Sequence, residues 1–170
     1  MPDQVLRTAR LTLEPLEARH AALLLDVLSA PEIYVHLDED PPADLAALEA
    51  RYRRLETRRS PDGRQEWLNW VVRVDGTGEH AGYVQATVED GAAEVAYVLG
   101  PAWWGRGLAT EAVTVMCAHL AVDHAVTRLT AHVAPGNRAS RALLERLGFS
   151  FVRRTADGDH FLERSVERPT

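Results

Sequence analysis

The pattern of the chain changes once, near residue 100, and that change constrains the fold more than any other feature. Before it, residues 67–74, 81–88 and 94–99 read as strands, separated only by Asp75-Gly76-Thr77-Gly78 and Glu89-Asp90-Gly91. Breaks this short and turn-rich join neighbouring strands antiparallel, which gives a meander. After it, residues 110–125 read as a long helix, 128–133 as a strand, and 137–147 as a helix closed by Gly148. A strand, a helix and a second strand form a βαβ unit, so those two strands must run parallel. Around this frame, residues 10–16 alternate as a first strand and 17–30 repeat apolar residues at helical spacing until Pro31. Residues 43–59 form a second helix with Leu45, Leu48, Tyr52 and Leu55 on one face, and 149–154 with 159–166 form a last hairpin around Asp157-Gly158. The expected class is α+β (mixed α/β): a single mixed central sheet of about seven strands flanked by helices, in one domain over residues 1–170.

A chain of 170 residues can bury one sizeable core. Its net charge of −6 speaks against nucleic acid as a partner and suits a cationic substrate. It contains no lysine; all 19 basic residues are arginine, which removes every lysine-based mechanism. The lone Cys117 allows no internal disulfide, and Val115-Met116-Cys117-Ala118 reads as a buried helix face. His20, His36, His80, His119, His124, His132 and His160 are scattered, with no HExxH pair; His119 and His124, five apart, have the wrong spacing for one helix face. No metal site is expected. No apolar run approaches the roughly 20 residues that span a bilayer, and the start of the chain lacks a signal-peptide core, so a soluble, cytoplasmic protein without membrane contact is expected.

The stretch from Glu94 to Ala112 is a strand, a small turn, a glycine loop and a helix start. A helix start offers unpaired N–H groups and the positive end of a dipole, and glycines let the backbone approach a ligand, so the segment suits a pyrophosphate. A phosphate-loop NTPase needs a lysine and is excluded. A dinucleotide site needs a third glycine where Thr110 stands and a carboxylate on residues 128–133, and has neither. A tight turn that binds nothing remains open from the loop alone. Further on, Asn137 opens a helix, Ser140 follows on its first turn, and Gly148-Phe149 ends it.

Taken together, these two segments resemble the GNAT superfamily of N-acetyltransferases, most closely its RimJ/RimL-like branch of ribosomal-protein N-terminal acetyltransferases. Trp104-Gly105-Arg106-Gly107-Leu108-Ala109 matches the family's acetyl-CoA motif, and Asn137 to Phe149 matches its Asn-x-x-Ser-x-x-Leu-x-x-x-x-Gly-Phe helix. The likeness covers nearly the whole chain. It implies that acetyl-CoA is the co-substrate and that a primary amine, of a protein N-terminus or a small molecule, attacks the thioester directly. It implies cofactor contacts at Val98, Leu99, Gly100, Gly105, Arg106, Gly107, Leu108, Ala109, Thr110 and Asn137. It implies Glu94 as, or positioning, the general base, and Ser140 as acid or hydrogen-bond partner for the CoA sulfur.

Two positions depart from the family pattern. Trp104 stands where Gln or Arg is usual, and Leu144 stands where many relatives carry a tyrosine acid. Glu66 is an alternative base, and Asp38-Glu39-Asp40 either forms an amine-receiving rim or is a solvated loop. Trp103 and Trp104 are expected to pack. Trp67 and Trp70 line an acceptor cleft or enter the core, with burial expected for at least one. The arginines from Arg51 to Arg64 form a solvated face, with a contact to the CoA 3′-phosphate left open. A rival reading is an acyl-CoA-binding regulatory module without turnover; a homodimer is left open, as is the identity of the amine.

Overall fold

The computed structural model describes residues 4–167. Eight strands form one mixed sheet: β1 (Leu6–Arg7), β2 (Leu11–Pro15), β3 (Glu66–Val74), β4 (His80–Glu89), β5 (Ala92–Leu99), β6 (Arg128–Val133), β7 (Ser150–Arg154) and β8 (His160–Ser165). Their order is β1-β2-β3-β4-β5-β6-β8-β7. This is one strand more than the sequence implies, because a two-residue strand such as β1 is too short to show alternation. All neighbours are antiparallel except β5 and β6, the parallel pair of the βαβ unit.

Four α-helices cover the sheet: α1 (Ala21–Leu28), α2 (Leu45–Leu55), α3 (Leu108–Asp123) and α4 (Arg138–Arg146). The first two helices are shorter than the apolar periodicity implies: Ala18–His20 winds as a 3₁₀ turn before α1, and α2 begins after its Asp44 cap and ends at Leu55, ahead of Arg58 at φ +61°. Helices α3 and α4 bury Leu108, Val113, Met116, Leu120 and Leu144 against one face of the sheet. Helices α1 and α2 bury Leu24, Leu28, Leu48 and Tyr52 against Val71 on the other. Cys117 lies in the first of these cores, where burial pushes its thiol up to about 11. Among the described residues, no helix is long and apolar enough to cross a membrane.

The feature that positions the site is an early parting of β5 from β6. Their pairing runs Ala92↔Arg128, Ala93↔Leu129 and Glu94↔Thr130, then stops. On its other side β5 stays paired with β4 as far as Gly82↔Leu99. Gly82 makes that possible. Its φ is +150°, and a Cβ there would stand 2.0 Å from the Val98 carbonyl oxygen, so only glycine lets the two backbones come this close. From Val95 to Leu99 the edge of β5 that faces β6 is therefore free of a strand partner.

The α3 start is tied to the first hairpin. The Arg10 guanidinium donates to the Glu111 carboxylate at 2.8 Å and to the Arg106 carbonyl at 2.9 Å. The Arg10 amide and the Thr8 hydroxyl donate to the same carboxylate. Burial alone would raise the Glu111 carboxyl, but the hydrogen bonds from Thr8 and Arg10 outweigh it and hold the group below the ordinary carboxylate range.

His119 and His124 meet despite their five-residue spacing, with ring centroids 5.0 Å apart. The helical spacing rule fails there because α3 ends at Asp123 and His124, at φ −116°, has left the helical backbone.

Candidate active site

Where β5 and β6 part, a cleft of about 890 Å³ opens through the sheet. Val95 to Leu99 and Ala131 to Val133 form its strand walls, and the starts of α3 and α4 close one end. The α3 start has a backbone designed for approach. Gly105 and Gly107 sit at φ +71° and +75°, and Gly107, as N-cap, has no side chain to accept from the first turn. The first-turn amides of Leu108, Ala109 and Thr110 have no intrahelical acceptor, and all three residues line the cleft. They present N–H groups and a helix dipole to an anion. A pyrophosphate fits this cradle, and a pantetheine-like chain with its amides fits the free edge of β5.

Of the cofactor residues expected from sequence, Val98, Leu99, Gly105, Gly107, Leu108, Ala109, Thr110 and Asn137 line the cleft. Gly100 and Arg106 do not. A Cβ on Gly100 would meet Val27 Cγ1 at 2.8 Å, and its amide donates to the Ala81 carbonyl at 2.8 Å, so it serves the β4–β5 packing. The Arg106 guanidinium lies over the Trp103 ring at 5.2 Å. Trp103 packs against the core, whereas Trp104 is 51% exposed and donates to the Leu99 carbonyl at 2.8 Å. Both indoles line the cleft.

The Asn137 side chain accepts from the Ser140 amide at 3.2 Å, so it caps α4 while facing the cleft. The Ser140 hydroxyl lies 2.6 Å from the Tyr97 hydroxyl. Burial raises the Tyr97 phenol and the bond with Ser140 only partly offsets this, so it stays a protonated donor. Leu144, in the family's tyrosine position, is buried. Tyr97 thus brings a phenol from β5 to the helix whose own tyrosine is missing. The only signal in the sequence was a polar aromatic on a strand position otherwise filled by Val95 and Leu99.

Glu94 sits at the last position of β5 that pairs with β6, outside the cleft lining. Its carboxylate is 3.1 Å from His132 Nδ1. His132 follows the last pairing on β6 by two residues and does line the cleft. A carboxylate only accepts hydrogen bonds, so this contact places the imidazole proton on Nδ1 and leaves Nε2 as the basic atom. Sequence reading missed His132 because nothing local marks a strand histidine whose partner comes from another strand.

Other candidates lie elsewhere. Glu66 pairs with His124 Nδ1 at 3.3 Å and borders neither cavity. Trp70 is buried edge-on to His119, and Trp67 donates to the Gln65 side chain; neither borders the cleft. Among the described residues, no three His, Cys, Asp or Glu side chains are grouped to hold a metal ion.

A second cavity of about 190 Å³ lies beside the cleft, between the sheet and α2. Tyr83 and Gln85 on its floor are the β4 partners of Val98 and Ala96 in the cleft wall. Asp38 borders the cleft, and Glu39 and Asp40 border the smaller cavity, so the acidic stretch spans the junction of the two. Arg51 and Arg54 also border it, with Arg51 3.5 Å from Glu39. Burial raises the phenols of Tyr52 and Tyr83 well above their ordinary value.

Comparison with known proteins agrees with this geometry. The acetyltransferase (GNAT) domain family matches residues 10–150. The chain is 29% identical over 147 residues to the uncharacterized N-acetyltransferase p20 of Bacillus licheniformis, covering 86% of this chain and 82% of that one. It shares its fold with Mycobacterium smegmatis RimJ in complex with CoA-disulfide (TM-score 0.81, 22% identity, 96% and 88% of the two chains). It also shares it with RimL, a ribosomal alpha-N-protein acetyltransferase, in complex with coenzyme A (TM-score 0.83, 17% identity, 98% and 100%).

Proposed function

We propose, from the premise that this chain belongs to the GNAT acetyltransferase family and is an acetyl-CoA-dependent N-acetyltransferase, that its acceptor is a primary amine delivered from the Glu94 face of the sheet, to a single catalytic domain spanning residues 1–170. The observation that carries this reading is the uncapped α3 start opening into the gap between β5 and β6. Acetyl-CoA supplies the thioester carbonyl that the amine attacks. The amides of Leu108, Ala109 and Thr110 hold its pyrophosphate, and Asn137 and the free edge of β5 hold the pantetheine.

The amine must be neutral to attack, yet a free primary amine is mostly protonated near pH 7. His132 is the group assigned to take that proton, through Nε2. Glu94 is the positioning residue, which fixes the tautomer through Nδ1 and stabilises the imidazolium that forms. On the other side of the cleft, the Ser140 hydroxyl gives its proton to the departing thiolate, and the Tyr97 phenol replaces it. These roles account for why the missing tyrosine at Leu144 need not abolish acid catalysis.

The test is steady-state thiol release across a panel of amines, with His132→Phe and Glu94→Gln beside the wild type. Loss of a general base costs about 10²–10⁴-fold in rate. His132→Phe should lose that factor in kcat with the CoA dissociation constant unchanged, and Glu94→Gln a smaller part of it. Both losses should shrink as pH rises, because more of the amine is then already neutral. Near-normal kcat at pH 7 in both variants would remove the pair from the mechanism, leaving proximity as the chain's main contribution.

A further inference from the structure

We infer that the smaller cavity is the side-group pocket of the acceptor, and that it selects a primary amine carrying a neighbouring hydroxyl or amide group. This deepens the acetyltransferase reading above and rests on it. The Tyr52 hydroxyl carries the argument: the residue is 2% exposed, its oxygen is inaccessible, and it has no hydrogen-bond partner within the protein. A buried hydroxyl without a partner is costly, and such groups are usually paired. Asn69, 6% exposed, and Gln85 bring side-chain amides to the lining of the same cavity. The Tyr83 phenol lines the cavity as well. Tyr34, by contrast, already donates to the Leu28 carbonyl at 2.6 Å.

The charged Glu39, Asp40, Arg51 and Arg54 border the cavity from exposed positions, whereas its less exposed polar groups are neutral donors and acceptors from α2, β3 and β4. They suit a ligand group that both donates and accepts, and they suit a purely apolar group poorly. The volume sets the size. About 190 Å³ is the liquid-volume share of roughly six water molecules, enough for the polar part of one amino-acid-sized unit. Position sets the attachment. Tyr83 and Gln85 lie directly across from Val98 and Ala96, so a group seated here has its neighbouring amine at the cleft, beside the acidic Asp38 to Asp40 stretch. A free amino-acid derivative and the first residue of a peptide share this chemistry.

Serinamide and asparaginamide are compared with alaninamide and 2-aminobutanamide, and Ser-Gly-Gly-Gly with Ala-Gly-Gly-Gly, on the wild type and on Tyr52→Phe. Binding is read by calorimetry in the presence of CoA, and turnover by thiol release. The expected result is that polar acceptors exceed their apolar counterparts about tenfold in kcat/KM, the size of one unmatched buried hydrogen bond. Tyr52→Phe should erase part of that preference, cost apolar acceptors less than polar ones, leave CoA affinity unchanged, and keep or raise the melting temperature, since the hydroxyl it removes is buried and bonds nothing among the described residues. The faster of the two polar arms identifies the source, free molecule or peptide. Equal rates for polar and apolar amines, or an equal loss for both in Tyr52→Phe, would overturn the assignment while leaving acetyl transfer intact. Tight binding of polar amines without thiol release would uphold the pocket and overturn the proposed reaction.

Discussion

The large cleft and the small cavity, which meet beside Asp38 to Asp40, are built by opposite means. The cleft offers backbone: three uncapped amides at the start of α3 and a free strand edge on β5. The cavity offers polar side chains, Tyr52, Asn69, Tyr83 and Gln85, brought from three elements, with the Tyr52 hydroxyl left without a partner. A backbone site binds a ligand part that never changes, because it cannot vary without changing the fold. A side-chain site can be rewritten residue by residue. On the function proposed above, the constant half of the reaction belongs to the cleft and the variable half to the cavity.

The strongest way to break that comparison is to put a side chain into the backbone site. Gly107→Glu forces a non-glycine residue into φ +75°, at a cost of about 1–2 kcal/mol. Its Cβ would stand 3.4 Å from Arg10 Nη2, drawing Arg10 from Glu111, and its carboxylate would face the same amides as the pyrophosphate. CoA affinity should fall by about 100-fold or more in calorimetry. Unchanged affinity in a folded Gly107→Glu protein would mean that the α3 start does not hold CoA.

A weaker perturbation leaves the loop sequence intact and removes its tether. Arg10→Ala cuts the bonds to Glu111 and the Arg106 carbonyl. The pair is half-exposed on the arginine side, so screening limits the loss to about 1 kcal/mol, or roughly fivefold in CoA affinity. Turnover at saturating CoA should be unchanged, because no group at the amine has moved. The pH dependence follows from the lowered Glu111 carboxyl. A carboxylate held below its unfolded value contributes stability above that value and loses it as pH falls through the lower, folded one. The melting-temperature gap between wild type and Arg10→Ala should therefore hold from pH 7 down to the ordinary carboxylate range and close only below it. A gap that stays constant under acid would show that Glu111 is not the partner that matters.

The same contrast accounts for what the sequence revealed. Glycines at 105 and 107 and the Asn137 cap are local signals of backbone geometry, so the cleft and the βαβ unit around it could be read directly. The seven longer strands were legible from alternation; β1 was not, at two residues. The cavity was illegible because Tyr52 sits on an ordinary amphipathic helix face, and its lack of a partner exists only once β3 and β4 lie beneath it. Tyr97 and His132 were missed for a related reason: each gains its meaning from a contact with a residue 43 or 38 positions away. Gly100 and Arg106, expected at the cofactor from the same local pattern, stand outside the cleft lining, where Val27 and Trp103 take up their faces, which no local signal shows.

The finest test concerns Asn137, which belongs to both kinds of site at once. Its side-chain oxygen accepts from the Ser140 amide, a bond internal to the chain, while its side-chain nitrogen has no partner and the residue faces the cleft. Asn137→Ala removes both functions, and loss of the cap costs about 1 kcal/mol of stability. CoA affinity should fall as well, by roughly twofold to fivefold, the low end of one neutral hydrogen bond. Asn137→Asp separates the two functions. A carboxylate caps a helix as well as an amide does, so stability should return to the wild-type level. It cannot donate, and its charge sits closer to the cofactor, so CoA affinity should stay low. Melting curves and calorimetry on the two variants give the answer together. If Asn137→Asp recovers stability and affinity alike, the nitrogen contributes nothing to binding and the residue is a cap. The α4 end of the cleft would then offer its ligand backbone alone, as the uncapped start of α3 does.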